Sequence, residues 1–385
     1  MSAERIRVLY FVDRFLRGGI QTLLWNIATS IDRSSFDVEF LCLDDGETYP
    51  MEKYLTDLGF KVTKLHGIWL NSPLDYARYK KALARFFGSS APFDVVHVHS
   101  TGKNYPVFEA ARVSACVVRI LHSHNTGYMT TNPVKSYIGN AMNRKAVSLA
   151  THRFACGQEA GEWMFGADFG KRPTDYILRN AVDCSKYRFD PSVREAIRRA
   201  LGISSDQRMC INVARLAPVK NHSFLLRAFK EAVAHDKSLR LFIVGDGVLK
   251  EQVSQQLSDL GLEGKATILG FRDDVPDLLQ AADCFLMPSV QEGLPFVLVE
   301  AQAAGLPCLI SDGVTPEAAM LPTTEILELS SPLEEWGRKI ASTASTGRFG
   351  DPARILAQRG YDLKTEVKRL EKYYRDAVGV DGIGQ

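Results

Sequence analysis

The chain has 385 residues, 45% of them hydrophobic and 24% charged, with a net charge of +2. That length exceeds one ordinary core and the balance is that of a globular protein, so a disordered or single-module chain is excluded. The near-neutral charge gives no strong field for nucleic acid, and no run reaches 18 consecutive apolar residues, which excludes a transmembrane helix.

In chain order, short apolar runs alternate with helix-length segments, the pattern of parallel strands covered on both faces. The first half reads strand 6–12, helix 20–31, strand 37–43, helix 50–58, strand 61–65, helix 74–87, strand 94–98, helix 105–114, strand 117–122, helix 134–149 and strand 152–156. The alternation resumes at Met209–Val213, and a last helix spans 363–378 ahead of a Gly-rich tail expected to fray. Residues 1–5 lead straight into the first strand without the apolar core of a signal peptide, and the seven cysteines never form a C-x-x-C pair. Buried free thiols and a cytoplasmic location are expected.

The residues with chemistry fall where strands end, the place at which open α/β sheets bind ligands. Gly18-Gly19 follows the first strand and opens a helix, so its backbone could approach a phosphate or a reacting sugar; a plain strand-to-helix turn is the alternative. His97 and His99 end one strand, and His122 and His124 end the next. Adjacent strands could bring the four to one rim. Such HxH pairs can ligate a metal, which keeps open a metal-dependent hydrolase, although no matching carboxylate signature lies nearby. From Tyr128 to Arg153, the apolar Tyr128, Met129, Tyr137, Ile138 and Met142 mix with Lys135, Arg144, Lys145 and Arg153. This segment could receive a lipid-linked acceptor by peripheral contact with an anionic membrane, or simply pack its apolar positions on the sheet.

In the second half, Val213-Ala214-Arg215-Leu216-Ala217-Pro218-Val219-Lys220-Asn221 runs from a strand end into a helix near His222. Arg215 offers a planar fork and Lys220 a point charge, and the two could converge on a diphosphate. Gly245-Asp246-Gly247 follows the strand 241–244, and a further strand ends at Leu269-Gly270-Phe271-Arg272. The stretch Ser289 to Ala301 then places two carboxylates eight residues apart: Glu292 in the Gly/Pro loop Glu292-Gly293-Leu294-Pro295, and Glu300 in a helix that stops at Gly305 and Pro307. A loop-tip carboxylate can accept hydrogen bonds from sugar hydroxyls and the deeper one can grip a ribose; the competing reading is a helix-start charge and a solvated helix residue.

In this order and spacing, RLAPVKN (215–221), VGDG (244–247), LGF (269–271) and EGLPFVLVEAQAAGLP (292–307), with Gly18-Gly19, resemble the retaining GT-B glycosyltransferases of the family 4 type. The likeness extends to the branch of exopolysaccharide and capsule assembly, where His-Ser-His-Asn after a strand is familiar. The resemblance implies two Rossmann-like domains facing across a cleft. An acceptor-side domain would span 1–183, a donor domain 184–362, and a helix from 363 would cross back to the first domain. It implies that Arg215 and Lys220 bind the nucleotide diphosphate, Glu292 the transferred sugar, Glu300 the ribose, and Phe271 the side of the base. Gly18, Gly19, Gly245, Gly247, Gly293, Leu294 and Pro295 would join the donor site. A family histidine faces the donor sugar; the strand end aligns His122 with it, with His124 one rung away. Gln21 departs from the Glu that relatives often carry after the glycine pair. The implied activity is metal-independent transfer of a hexosyl group from a nucleoside diphosphate sugar, UDP-linked, to a glycan or lipid-linked acceptor, without a cofactor. A sugar-nucleotide epimerase and a non-catalytic sugar-nucleotide binder are the other readings.

Overall fold

The computed structural model describes residues 5–15, 18–66, 73–100, 104–126 and 133–379. It divides into two units, Met1–Arg179 with Lys364–Gln385, and Asn180–Leu363. The units divide at 179/180 and 363/364, where the sequence reading sets its boundaries at 183/184 and 362/363.

The first unit is a seven-stranded sheet of β1 (Ile6–Val12), β2 (Phe36–Leu43), β3 (Lys61–Leu65), β4 (Val95–Val98), β5 (Val118–Ser123), β6 (His152–Ala155) and β7 (Asp175–Ile177), in the order β3-β2-β1-β4-β5-β6-β7. Every neighbouring pair is parallel. Central strands such as β4 are buried throughout, which explains their unbroken apolar runs. Leu9, Phe11, Val96, Val98 and Leu121 pack with Tyr79, Leu83 and Phe108 from the covering helices. The sequence reading omitted the helix Gln158–Phe165 and β7, whose three residues are only half-buried at the sheet edge.

The helix Leu363–Val378 supplies side chains to this unit. Glu366 accepts from the Arg179 amide at 2.9 Å, Glu371 from the Asp32 amide at 2.7 Å, and Leu370 and Tyr374 are fully buried.

The second unit is a parallel sheet of β8 (Arg208–Val213), β9 (Leu239–Val244), β10 (Ala266–Gly270), β11 (Cys284–Met287), β12 (Cys308–Ser311) and β13 (Thr324–Leu327), ordered β10-β9-β8-β11-β12-β13. Trp336 and Phe229 fill the space against Leu241, Ile243 and Leu286. The strand order reverses at β1 in one unit and at β8 in the other, and at these positions the flanking crossovers leave a crevice beyond the strand ends. All seven cysteines are free, and all but Cys184 are buried. No described helix is long and apolar enough to cross a membrane.

Candidate functional site

In the second unit, the loops leaving β8, β9 and β10 are laced together by their backbones. The Ala214 amide donates to Val244 O (2.9 Å), Leu216 to Asp246 O (2.9 Å) and Gly245 to Gly270 O (2.8 Å). This closeness explains the Gly-Asp-Gly. A Cβ on Gly245, whose φ is +140°, would lie 2.0 Å from Ala214 O, and one on Gly247 would lie 2.4 Å from Leu216 O. Both glycines therefore set the path of the 214–216 backbone. Leu216 is sunk in the core while Arg215 is exposed and, among the described residues, forms no ion pair.

Lys220 ends the 3-10 turn Pro218–Lys220, and Asn221 at φ +57° redirects the chain into the helix His222–His235. Asn tolerates that left-handed conformation better than most residues. The loop after β11 is pinned from three sides. The Val290 amide donates to Val219 O (2.8 Å), the Glu292 amide to Gly313 O (2.8 Å), and Asn180 Nδ2 to Leu294 O (2.5 Å). As a result Lys220 Nζ forms an ion pair with Glu292 Oε1, with the two side chains only 18% and 13% exposed. Two residues assigned to different parts of a ligand thus meet 72 positions apart. An ammonium has three donors, so Lys220 can keep Glu292 and still serve a phosphate oxygen.

Glu300 lies in the helix Phe296–Ala303, which begins after Glu292; the two carboxylates do not share one helix. Burial raises the Glu300 carboxyl above its ordinary 4.5, partly offset by the Tyr187 hydroxyl that faces it. Phe271, just beyond β10, is 48% exposed, an aromatic face open at the same ends of the strands. Leu294 is buried. Tyr187, Asn180 and His222 escaped the sequence reading. His222 is buried beside Lys220, its ring nitrogens have no hydrogen-bond partner among the described residues, and burial followed by the Lys220 charge pushes it down to about 4. Adjacency to Lys220 was the available signal for His222. Nothing local marked Asn180, whose partner is 114 residues away.

In the first unit, Gly18 caps the helix Gly19–Ser30 at φ 173°, an extended conformation open to any residue, so this turn does not demand glycine's left-handed freedom. Gln21 is buried and donates to Arg14 O at 2.7 Å. The departure from Glu is absorbed internally.

The four histidines do meet. His97 Nε2 and His122 Nδ1 are 3.1 Å apart, and His99 Nδ1 and His124 Nε2 are 2.9 Å apart. Burial holds all four below the ordinary 6.5, His124 at about 3, so they are neutral imidazoles. β5 runs one residue further than expected, to Ser123, which places His122 inside the strand and 1% exposed. His124 is the first residue past the strand and is partly exposed. The strand thus ends at Ser123 and not at His122 as expected, and His124 is the less buried of the two imidazoles. Ligating nitrogens of His97, His99 and His122 lie within 4.8 Å of one another, a spacing from which a metal site could be gathered. However, both nitrogens of His97 are already engaged, with Tyr374 and His122, so a third ligand would require breaking one of those bonds.

Of the proposed acceptor segment, Tyr128 and Met129 and the side chains of Lys135 and Ile138 lie outside the described residues. Tyr137 is 71% exposed. Arg153 leaves the set of solvated cations: it is 3% exposed and ion-paired to Asp175 at 2.5 Å and Asp168 at 3.2 Å.

Residues 193–323 match the family model of glycosyl transferases group 1, and residues 18–177 that of the glycosyl transferase 4-like domain. The chain is 32% identical over 381 residues, 97% of each protein, to EpsF of Bacillus subtilis (strain 168), described as a glycosyltransferase. It is 25% identical over 316 residues, 80% of each protein, to the UDP-Gal:alpha-D-GlcNAc-diphosphoundecaprenol alpha-1,3-galactosyltransferase of Escherichia coli. The crystal structure of Anabaena HepE in complex with UDP superposes with a TM-score of 0.77 at 20% identity, covering 96% of this chain and 100% of that one, a likeness of fold.

Proposed function

The chain belongs to the group 1 glycosyl transferases, nucleotide-sugar-dependent hexosyltransferases of GT-B fold, and we propose that it is an anomer-retaining enzyme with a UDP-linked donor and a glycan or lipid-linked oligosaccharide acceptor of a surface polysaccharide. The observation that carries this reading is the grouping of Arg215, the Lys220–Glu292 pair, Glu300 and Phe271 on neighbouring strand-end loops and their following helix in one unit. UDP is supported by its place in the names of the E. coli relative and the HepE complex, and a lipid-linked acceptor by the former. In the proposed reaction Arg215 and Lys220 stabilise the diphosphate as it leaves and gains charge. Glu292, steadied by Lys220, accepts hydrogen bonds from the transferred sugar. Glu300 accepts from the ribose. Gly18 and Gly19 admit the reacting groups, and His124 contacts the sugar. Substitution proceeds on one face, the leaving phosphate oxygen taking the proton of the incoming hydroxyl.

The test is a panel of UDP-sugars incubated with the purified protein, with and without acceptor glycans, following UDP release and sugar isomers. Acceptor-dependent transfer with the anomeric configuration kept supports the reading. Isomer formation without acceptor would make it an epimerase, and neither product a binder. Transfer is expected to survive EDTA, since cationic side chains take the metal's role; loss restored by one divalent ion would turn the assignment toward the histidines.

The two carboxylates should separate by assay. Glu292→Ala is expected to alter donor-sugar selection while leaving free UDP affinity nearly unchanged, whereas Glu300→Gln should weaken UDP binding. Because folding raises the Glu300 pKa, ionisation costs the fold stability. That cost is full above the raised value and vanishes as pH falls toward 4.5. Glu300→Gln should therefore raise the melting temperature of the nucleotide-free protein at neutral pH and lose that advantage in acid. Equal losses of UDP affinity in the two variants would contradict the division of roles.

A further inference from the structure

The imidazoles at the ends of β4 and β5 form a two-by-two array. Along the strands the rings stack, His97 on His99 at 4.2 Å and His122 on His124 at 4.0 Å between centroids. Across the strands they hydrogen-bond, His97 with His122 and His99 with His124. One corner, His97, is wholly buried, and its Nδ1 lies 2.7 Å from the hydroxyl of Tyr374. That hydroxyl is also 2.9 Å from the hydroxyl of Tyr10. The opposite corner, His124, is the partly exposed one. Tyr374 belongs to the helix Leu363–Val378, which reaches this unit after the chain has passed through the other.

The protons in this chain of groups can be ordered from elementary chemistry. Each hydroxyl has one proton, and each neutral imidazole carries one on either nitrogen. A phenol is a good donor and a poor acceptor, while an unprotonated imidazole nitrogen is a good acceptor, so the Tyr374–His97 bond runs O–H to Nδ1. Tyr10 then donates to the Tyr374 oxygen. With Nδ1 of His97 accepting, its proton sits on Nε2 and is donated to His122 Nδ1. His122 must in turn carry its proton on Nε2, a buried atom with no partner among the described residues. The reverse order would strand the Tyr10 proton instead, so the count of unmet donors is equal and the preference of O–H for N decides.

We propose that Tyr374 is a positioning residue for glycosyl transfer: through His97 it sets His97 and His122 as Nε2–H tautomers and holds the stack on which His124 rests. The kinetic half of this inference rests on the reading that His124 contacts the transferred sugar; the tautomer half does not.

Long-range proton–nitrogen NMR on the full chain labelled with 15N-histidine, the signals assigned from single His→Gln variants, reads the tautomers directly. His97 and His122 are expected as Nε2–H in the unmodified protein. Tyr374→Phe should redistribute the proton in both and lower kcat by roughly three- to tenfold, the scale of one net hydrogen bond, with UDP affinity unchanged. Tyr10→Phe keeps the O–H to Nδ1 bond and should leave the tautomers as they are. A proton on Nδ1 of either histidine in the unmodified protein overturns the proposal, and this holds even if Tyr374→Phe fails to fold. Unchanged tautomers or unchanged kcat in a folded Tyr374→Phe also overturn it. If His124→Ala transfers normally, the sugar contact is wrong while the tautomer result stands or falls separately.

Discussion

Replacing Arg215 and Lys220 together with alanine should abolish measurable UDP binding at concentrations that saturate the unmodified protein. Each charge-assisted contact to a phosphate oxygen contributes about 1.5–3 kcal/mol, so each single change should weaken binding roughly ten- to 150-fold. The singles are not expected to match. Arg215 is exposed and has no ion pair among the described residues, so Arg215→Ala removes ligand contacts and little else. Lys220→Ala also strips Glu292 of its partner, leaving a carboxylate that is only 13% exposed uncompensated. Its damage should therefore extend to sugar selection, and the two changes should depart from additivity once Glu292 is mutated as well. Calorimetric titration with UDP checks this. A folded double variant with unchanged affinity and turnover would remove both residues from the diphosphate site.

Gly245→Ala is expected to damage the fold and the site together. The added Cβ overlaps the Ala214 carbonyl at 2.0 Å, a backbone atom that cannot swing away, and the φ of +140° is one that a residue with a side chain rarely adopts. Strain and overlap together should cost about 2–4 kcal/mol, read from urea denaturation. Relief of the overlap must move Ala214 and hence Arg215, so UDP affinity should also fall under conditions where the variant remains folded. Gly264→Ala is the control. Its φ is +72° with nothing within 4 Å of the added atom, so it should show only the left-handed penalty of about 1–2 kcal/mol and bind UDP normally. Equal behaviour of the two variants would mean that the close approach of the loops has no part in positioning Arg215.

The strand ends show how far a linear reading reaches. For β1, β3 and the helix Leu363–Val378, the expected and observed limits coincide, because an apolar run bounded by polar or turn residues has one way to be buried. At β5 the expectation was off by a single residue, and there it mattered. Ser123 continues the ladder by pairing with Ala155 on β6, which moves His122 from the open end into the interior and leaves His124 at the rim. A polar Ser inside a strand carries no hydrophobic signal. What retains it is a partner strand 32 residues later, with its hydroxyl donating to Ala160 O at 2.7 Å.

By itself, then, the sequence determined the alternating α/β layout, the strand-end position of Arg215, Lys220, Glu292 and Phe271, and the family, since periodicity, turn residues and motif spacing are local properties of the chain. Only the tertiary structure decided that Lys220 is paired with Glu292, that Gly245 and Gly247 are spacers for a neighbouring backbone, that Arg153 is locked in a buried ion pair, and that Tyr374 anchors the histidine array. Those facts depend on which strand lies beside which and on how deeply a group is buried. The partners of the histidine array lie up to 277 residues apart, and no local pattern encodes a contact at that distance.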